Sequence, residues 1–232
     1  VLAVIYLIFN AGYSAGPDAG ADLAGEAIFL ARMLNRLRPG EAEIEGCLAL
    51  LLITHARRDA RTGEDGASIP PGKQDRVLWH KLEVAEGMDL IDQAMTRRTP
   101  GPYQIKAAIA ACHMSGDGPD WLQIAALYDS LLRFEPTAVV RLNRAVAYGE
   151  AHAAALGLRM IELLQSELSA YQPYHAARAE FLGRNGMIEP ALAAYEIAIA
   201  MAASEADAAM LRRNHDLLAR SAEATVVQTS GS

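Results

Sequence analysis

Beginning at Gly186, the chain places a small, an aromatic and a small residue (Ala191, Tyr195, Ala198) at steps of four and three. On an α-helix those steps return to one face, so Tyr195 sits between two side chains small enough to admit a neighbouring helix. The glycine in front supplies the turn that separates this helix from the preceding one. The register recurs upstream as Ile124, Tyr128 and Leu131, with Pro136 as terminator. Faces of this kind are covered by another helix, which commits the chain to helix-on-helix packing.

Composition agrees with that constraint. Hydrophobic residues make up 52% of the 232 and aromatics 6%, an alanine- and leucine-rich mixture suited to close helix packing rather than to a β-sandwich. The expected fold class is all-α. A net charge of −7 leaves no electrostatic footprint for wrapping nucleic acid, which needs clustered Lys and Arg. Cys47 and Cys112 lie far apart, outside any CxxC pair or His-rich stretch, so no metal or other cofactor is expected and a cytoplasmic location fits. The apolar start, Val1 to Phe9, is too short for a membrane span and lacks the basic flank and cleavage pattern of a signal peptide. With no initiator methionine, Val1 reads as a cut inside a longer protein.

The first section, 1–98, is expected to hold four helices: about 1–13, broken at Ser14-Ala-Gly-Pro-Asp18; one capped by Asp22 and stopped by Pro39-Gly40; one through Ile44, Leu48, Leu51, Leu52 and His55; and a long one over about 74–97. The stripe Val77, Val84, Met88, Ile91 and Met95, with Leu78 and Leu82 beside it, is expected to face the core. Thr62 to Gly72 holds three glycines and two consecutive prolines and reads as a long functional or mobile loop. Thr99-Pro-Gly-Pro102 reads as the internal boundary, because each proline disfavours helix in the residue before it. Helix pairs are expected at 103–114 with 120–134, 138–149 with 153–165 and 173–185 with 187–202, then a closing helix at 205–219. This second section, 99–220, resembles a short tetratricopeptide-like stack with a cap, although Ala203 stands where that pattern places a proline. Residues 221–232 read as a frayed tail.

Recognised catalytic patterns are absent: there is no His-Glu-x-x-His, no phosphate-binding Gly-rich loop and no Gly-x-Ser-x-Gly elbow. The expectation is a non-enzyme. Asn10 and Tyr13 belong to a Phe-Asn-Ala-Gly-Tyr run that serves as helix-end punctuation or lines a cleft. His55, Arg57, Arg58 and Arg61 either cap a helix dipole or form an anion pocket, with Arg57 and Arg61 one turn apart. Asp75, Arg76 and Trp79 open the long helix, and Asp75 is placed to pair with an arginine and clamp the loop. Tyr103, Gln104 and His113 are placed to face the same cleft across the boundary. Glu83 and Glu86 read as a solvated helix face, and His80, His152, His175 and His215 as exposed or capping.

Six ordered segments then carry a family resemblance: Tyr6-Leu-Ile-Phe-Asn-Ala-Gly-Tyr13, Ala56-Arg-Arg-Asp-Ala-Arg61, Gln74-Asp-Arg-Val-Leu-Trp79, Gly101-Pro-Tyr-Gln104 with Ala107-Ala-Ile-Ala110, Ile124-Ala-Ala-Leu-Tyr128, and Val140-Arg-Leu-Asn-Arg-Ala-Val146. Their order resembles the C-terminal, tetratricopeptide-like extension of extracytoplasmic-function RNA polymerase sigma factors, over residues 1 to about 220. The resemblance implies a regulatory domain that controls transcription initiation through contacts with its own N-terminal sigma regions, core RNA polymerase or a small YCII-like protein. Promoter DNA would be reached only through the missing N-terminal region, and no membrane is implied. A second expectation is a sensor in which the arginine cluster and Tyr103 hold an anionic metabolite.

Overall fold

The computed structural model describes residues 1–15, 22–64, 66–114 and 118–230, without side chains at 14–15 and 225–230. The fold is all-α, with one isolated antiparallel bridge, Thr62 to Ser68, among the described residues. Two compact units partition the chain: Val1–Arg61 with Pro71–Glu135, and Thr62–Pro70 with Pro136–Ser232.

In the first unit, α1 (Leu2–Ala15) pairs with α2 (Leu23–Leu37), whose first turn is capped by Asp22 accepting from Gly25 N at 2.8 Å. The expected break at 14–18 lies largely outside the described residues, and α1 runs on to Ala15. Helix α3 (Ala42–His55) is apolar on nearly every side and buried from Ile44 through Ile53, as an all-round hydrophobic helix must be. Around it pack α1, α2, α4 (Lys81–Thr96) and α5 (Pro102–Cys112), while α6 (Trp121–Leu131) packs on α5. Phe9, Ile28, Leu51, Ile53, Leu90 and Ala107 are among the buried core residues here.

Two expectations about α4 fail together. It starts at Lys81 rather than near 74, because Asp75 caps a separate 3-10 turn, Arg76–Leu78, and Trp79 and His80 are extended. Its buried face is Gly87, Leu90, Ile91 and Ala94, whereas Val77, Leu82 and Met95 are well exposed. The small residues win this face because α3 lies close: a Cβ on Gly87 would meet Ile53 at 2.7 Å.

Thr99-Pro-Gly-Pro102 is also not where the units divide; the division falls between Glu135 and Pro136. Helix α5 has no local side-chain cap, and Glu43 of α3 supplies one, accepting from the Tyr103 and Gln104 amides at 3.1 Å each. These amides are among the donors a helix start leaves unpaired, and a carboxylate there also meets the positive end of the dipole. Gly46 lets the two helices touch, since a Cβ there would lie 2.7 Å from Gln104 N.

The second unit begins with α7 (Ala138–Ala151), capped by Thr137, and α8 (Ala154–Glu162), followed by the short α9 (Gln165–Leu168). Then come α10 (Gln172–Arg184), α11 (Ile188–Ala200) and α12 (Glu205–Ser230). Consecutive helices pack as hairpins, α7 on α8, α10 on α11 and α11 on α12. The motif that opened the sequence reading works as expected: Gly186 turns at φ +76°, and Ala191, Tyr195 and Ala198 are buried. The Tyr195 hydroxyl donates to Glu180 Oε2 at 3.0 Å. Helix α12 continues to Ser230, through the segment expected to fray. Within the glycine- and proline-rich segment, Ser68 is fastened to the start of this helix. Ser68 N donates to Ala206 O at 3.0 Å and Ser68 Oγ to Asp207 Oδ1 at 2.7 Å.

Candidate functional site

Polar residues gather where the apolar run of α3 ends. The helix closes with Ala56 N donating to Leu52 O at 2.8 Å, and Arg58–Ala60 form a 3-10 turn. The chain returns through the turn at Arg76–Leu78, and His80 N donates to Ala56 O at 2.9 Å, fixing the start of α4 against the end of α3. Both strips of sequence are dense in charge, so this docking assembles ionisable groups that lie up to 28 residues apart.

Arg58 is the hub. Its Nη1 donates to Glu83 Oε2 and to the His55 carbonyl, both at 3.0 Å, and its Nη2 lies 3.2 Å from His80 Nδ1. His80 Nε2 lies 2.6 Å from Asp59 Oδ2, and His55 Nδ1 lies 3.1 Å from Glu83 Oε2. One proton arrangement satisfies these contacts, except that Arg58 Nη1 also lies 3.0 Å from His55 Nδ1, where both nitrogens are then donors. His80 accepts at Nδ1 and donates from Nε2 to Asp59, while His55 donates from Nδ1 to Glu83. The Glu83 carboxylate therefore fixes His55, whose ring also lies edge-on to Phe9 at 6.5 Å.

Beside this network lies a second, purely cationic group. Arg61 stacks 3.7 Å over the Tyr13 ring and donates from Nη1 to the Tyr13 carbonyl at 2.6 Å. Tyr13 in turn stacks on Phe9 and donates its hydroxyl to Thr54 O at 3.2 Å. Burial pushes its phenol above the usual range against the pull of Arg61 and Arg57. Arg57 is itself buried, and desolvation holds its guanidinium below its ordinary value. His113, at the end of α5 and edge-on to Trp121 at 5.2 Å, is pushed down by burial and by the Arg57 charge.

The structure thus brings together Tyr13, His55, Arg57, Arg58, Arg61 and His113, with Trp79 buried nearby in sequence and Arg76 5.3 Å over its ring. Four expected members stand apart. Asp75 spends its carboxylate on Val77 N at 2.9 Å and forms no ion pair with an arginine among the described residues; Arg58 with Glu83 and His80 with Asp59 join the two strips instead. Tyr103 packs edge-on to Tyr6 and beneath Lys106, among Cys47, Glu43 and Glu135, where burial and these acids push its hydroxyl up to about 12. Gln104 shares that place through Glu43, and the half-buried Asn10 side chain makes no hydrogen bond among the described residues. Arg57 and Arg61 do not share an α-helical face either, since α3 has ended by His55.

Glu83, His80 and Asp59 are the members the sequence reading missed. Glu83 was expected on a solvated face with Glu86, yet Glu83 turns inward to Arg58 while Glu86 pairs with Arg32. The available signal was Asp59 inside the arginine run and His80 and Glu83 three apart at a helix start. A histidine held by a glutamate is half of a general-base arrangement. No hydroxyl or thiol among the described residues hydrogen-bonds to His55 or His80, and no group of three His, Cys, Asp or Glu there is disposed to hold a metal ion.

Residues 1–95 match the family described as a family of unknown function, DUF6596. An uncharacterized protein of Rhizobium meliloti (strain 1021) is 45% identical over 225 residues, covering 94% of this chain and 53% of that protein. The chain therefore spans about half the length of this curated relative. No solved structure matches the chain.

Proposed function

We propose that this chain is the C-terminal control domain of an extracytoplasmic-function sigma factor, acting by protein contact on transcription initiation. The observation that carries the reading is an apolar face left uncovered on α1 and α2. A groove of about 420 Å³ runs between them, lined by Val1, Val4, Ile8, Met33, Leu34 and Leu37 among others. Val4 is 59% exposed, Leu7 66% and Phe29 56%. Such a contiguous surface is an interaction site far more often than a solvated one.

The occupant assigned to this face is the sigma region of the same protein. Val1 is among the lining residues, the resemblance implies sigma regions elsewhere in the same polypeptide, and the relative, of which the chain spans 53%, is long enough to hold them. The six ordered sequence segments support the same assignment, as does the acidic charge, which suits a partner that leaves promoter contact to another region.

Reconstituted transcription tests the reading. The full sigma factor is compared with one ending just before Val1 and with a full-length Val4→Lys/Met33→Lys variant. A severalfold change in promoter-dependent initiation, of the same sign in both, supports control through this face. Unchanged initiation in both removes the proposal.

A further inference from the structure

Neither Arg57 nor Arg61 at the α3 end has a counter-charge among the described residues, and Arg57 is the buried one of the two. It is 8% exposed, its Nε has no hydrogen-bond partner, and it forms no ion pair with any described residue. Neighbouring cations of the same unit solve this problem with acids: Arg58 faces Glu83, Arg97 faces Glu45 and Arg32 faces Glu86. Around Arg57 the electrostatic neighbours are Tyr13, Arg61 and His113, which add positive charge or none. Arg61 is engaged with neutral partners, the ring and carbonyl of Tyr13. A second buried donor, Trp79 Nε1, also lacks an acceptor, and the bond from His80 N to Ala56 O ties its segment to that of Arg57. A guanidinium is costly to bury unless an anion accompanies it.

We propose that Arg57 anchors a carboxylate-binding site at the end of α3. The planar edge formed by Nε–H and an Nη–H matches the two oxygens of a carboxylate, and one negative charge is what Arg57 lacks. Arg61 adds long-range attraction, and the neutral Tyr13 ring keeps it in place. The carboxylate comes either from a small free acid or from an acidic side chain of a bound polypeptide, and both present the same group. This site is separate from the α1/α2 face and stands or falls independently of it.

The test uses the 232-residue chain, with arginine Nε–H resonances followed by NMR and thermal melting run in parallel. The probes are sodium acetate, sodium succinate and a hexaglutamate peptide, with sodium chloride at matched ionic strength as control. The Arg57 signal, identified by its absence in Arg57→Met, is expected to move saturably, with Tm rising by about 5 °C at a hundredfold excess over Kd. Arg57→Lys, which keeps the charge but not the fork, is expected to weaken binding at least tenfold. Response to acetate or succinate identifies a small acid; response to hexaglutamate alone identifies a polypeptide. No saturable response to any carboxylate, or an equal response to chloride, overturns the proposal. Should Arg57→Met not fold, Arg57→Lys decides the matter, because full retention of binding there overturns it equally.

Discussion

Residues at the end of α3 differ in what their removal leaves behind. Arg58 joins Glu83, the His55 carbonyl and His80, so Arg58→Met leaves a carboxylate whose side chain is only 22% exposed with His55 as its one remaining hydrogen-bond partner among the described residues. The expected loss is about 1–3 kcal/mol, read from urea unfolding at constant m. Asp59→Asn removes a charge that is 56% exposed and is expected to change stability by less than about 0.5 kcal/mol. His113 gives the region a pH dependence with a definite sign. Burial first, then Arg57, lowers its folded-state pKa, so the unfolded chain takes up the proton first. Its contribution to stability is present above the unfolded value near 6.5 and is lost as pH falls from there through the folded value. Urea unfolding between pH 7.5 and 5 is expected to show that loss, and His113→Gln to flatten it. Cys47 is buried, with its thiol pushed up to about 12 by burial and by Glu43. Native protein at pH 7.5 is expected to react with a thiol reagent at Cys47 only as fast as it opens, against seconds to minutes in denaturant.

Elements show where residue patterns sufficed and where they did not. The Gly186 hairpin was legible because its face is built from local steps of three and four, and burial of Ala191, Tyr195 and Ala198 follows from that spacing alone. The start of α4 was not legible, since Val77 and Leu78 continue an apolar period while Asp75 uses its side chain to close a 3-10 turn. Nor was its inner face, because Gly87 and Ala94 face the core only where α3 comes within reach. The prolines at 100 and 102 marked a helix start correctly and a unit boundary wrongly, for the cap on that start comes from Glu43, 60 residues earlier. In the candidate site the arginines could be read from sequence, whereas Glu83 and His80 acquired their roles through the backbone bond from His80 N to Ala56 O. Glu43→Ala tests the long-range cap. It is expected to cost about 1–2 kcal/mol and to speed hydrogen exchange at Tyr103 and Gln104 before other amides of α5.

At the scale of the whole molecule, the α1/α2 face is an apolar surface that the core of its own unit does not use. Ile5 and Phe9 point inward at 5% and 1% exposure, while Val4 and Leu7 on the same helix stay at 59% and 66%. An amphipathic helix with one covered stripe would place polar residues at the latter positions, so α1 carries a second apolar stripe that its own unit does not use. Net charge of −7 opposes self-association without removing the patch. The isolated chain is therefore expected to bind an apolar fluorescent dye in its native state, with the signal falling severalfold in Val4→Lys/Met33→Lys. Both side chains are at least 41% exposed, so the melting temperature should move little. Ile5→Lys, by contrast, places a charge in the core and is expected to raise dye binding by loosening the fold. Equal dye signals from the wild type and the double variant, at unchanged melting temperature, would show that α1 and α2 do not present this face to solvent and would remove the surface on which the control reading rests.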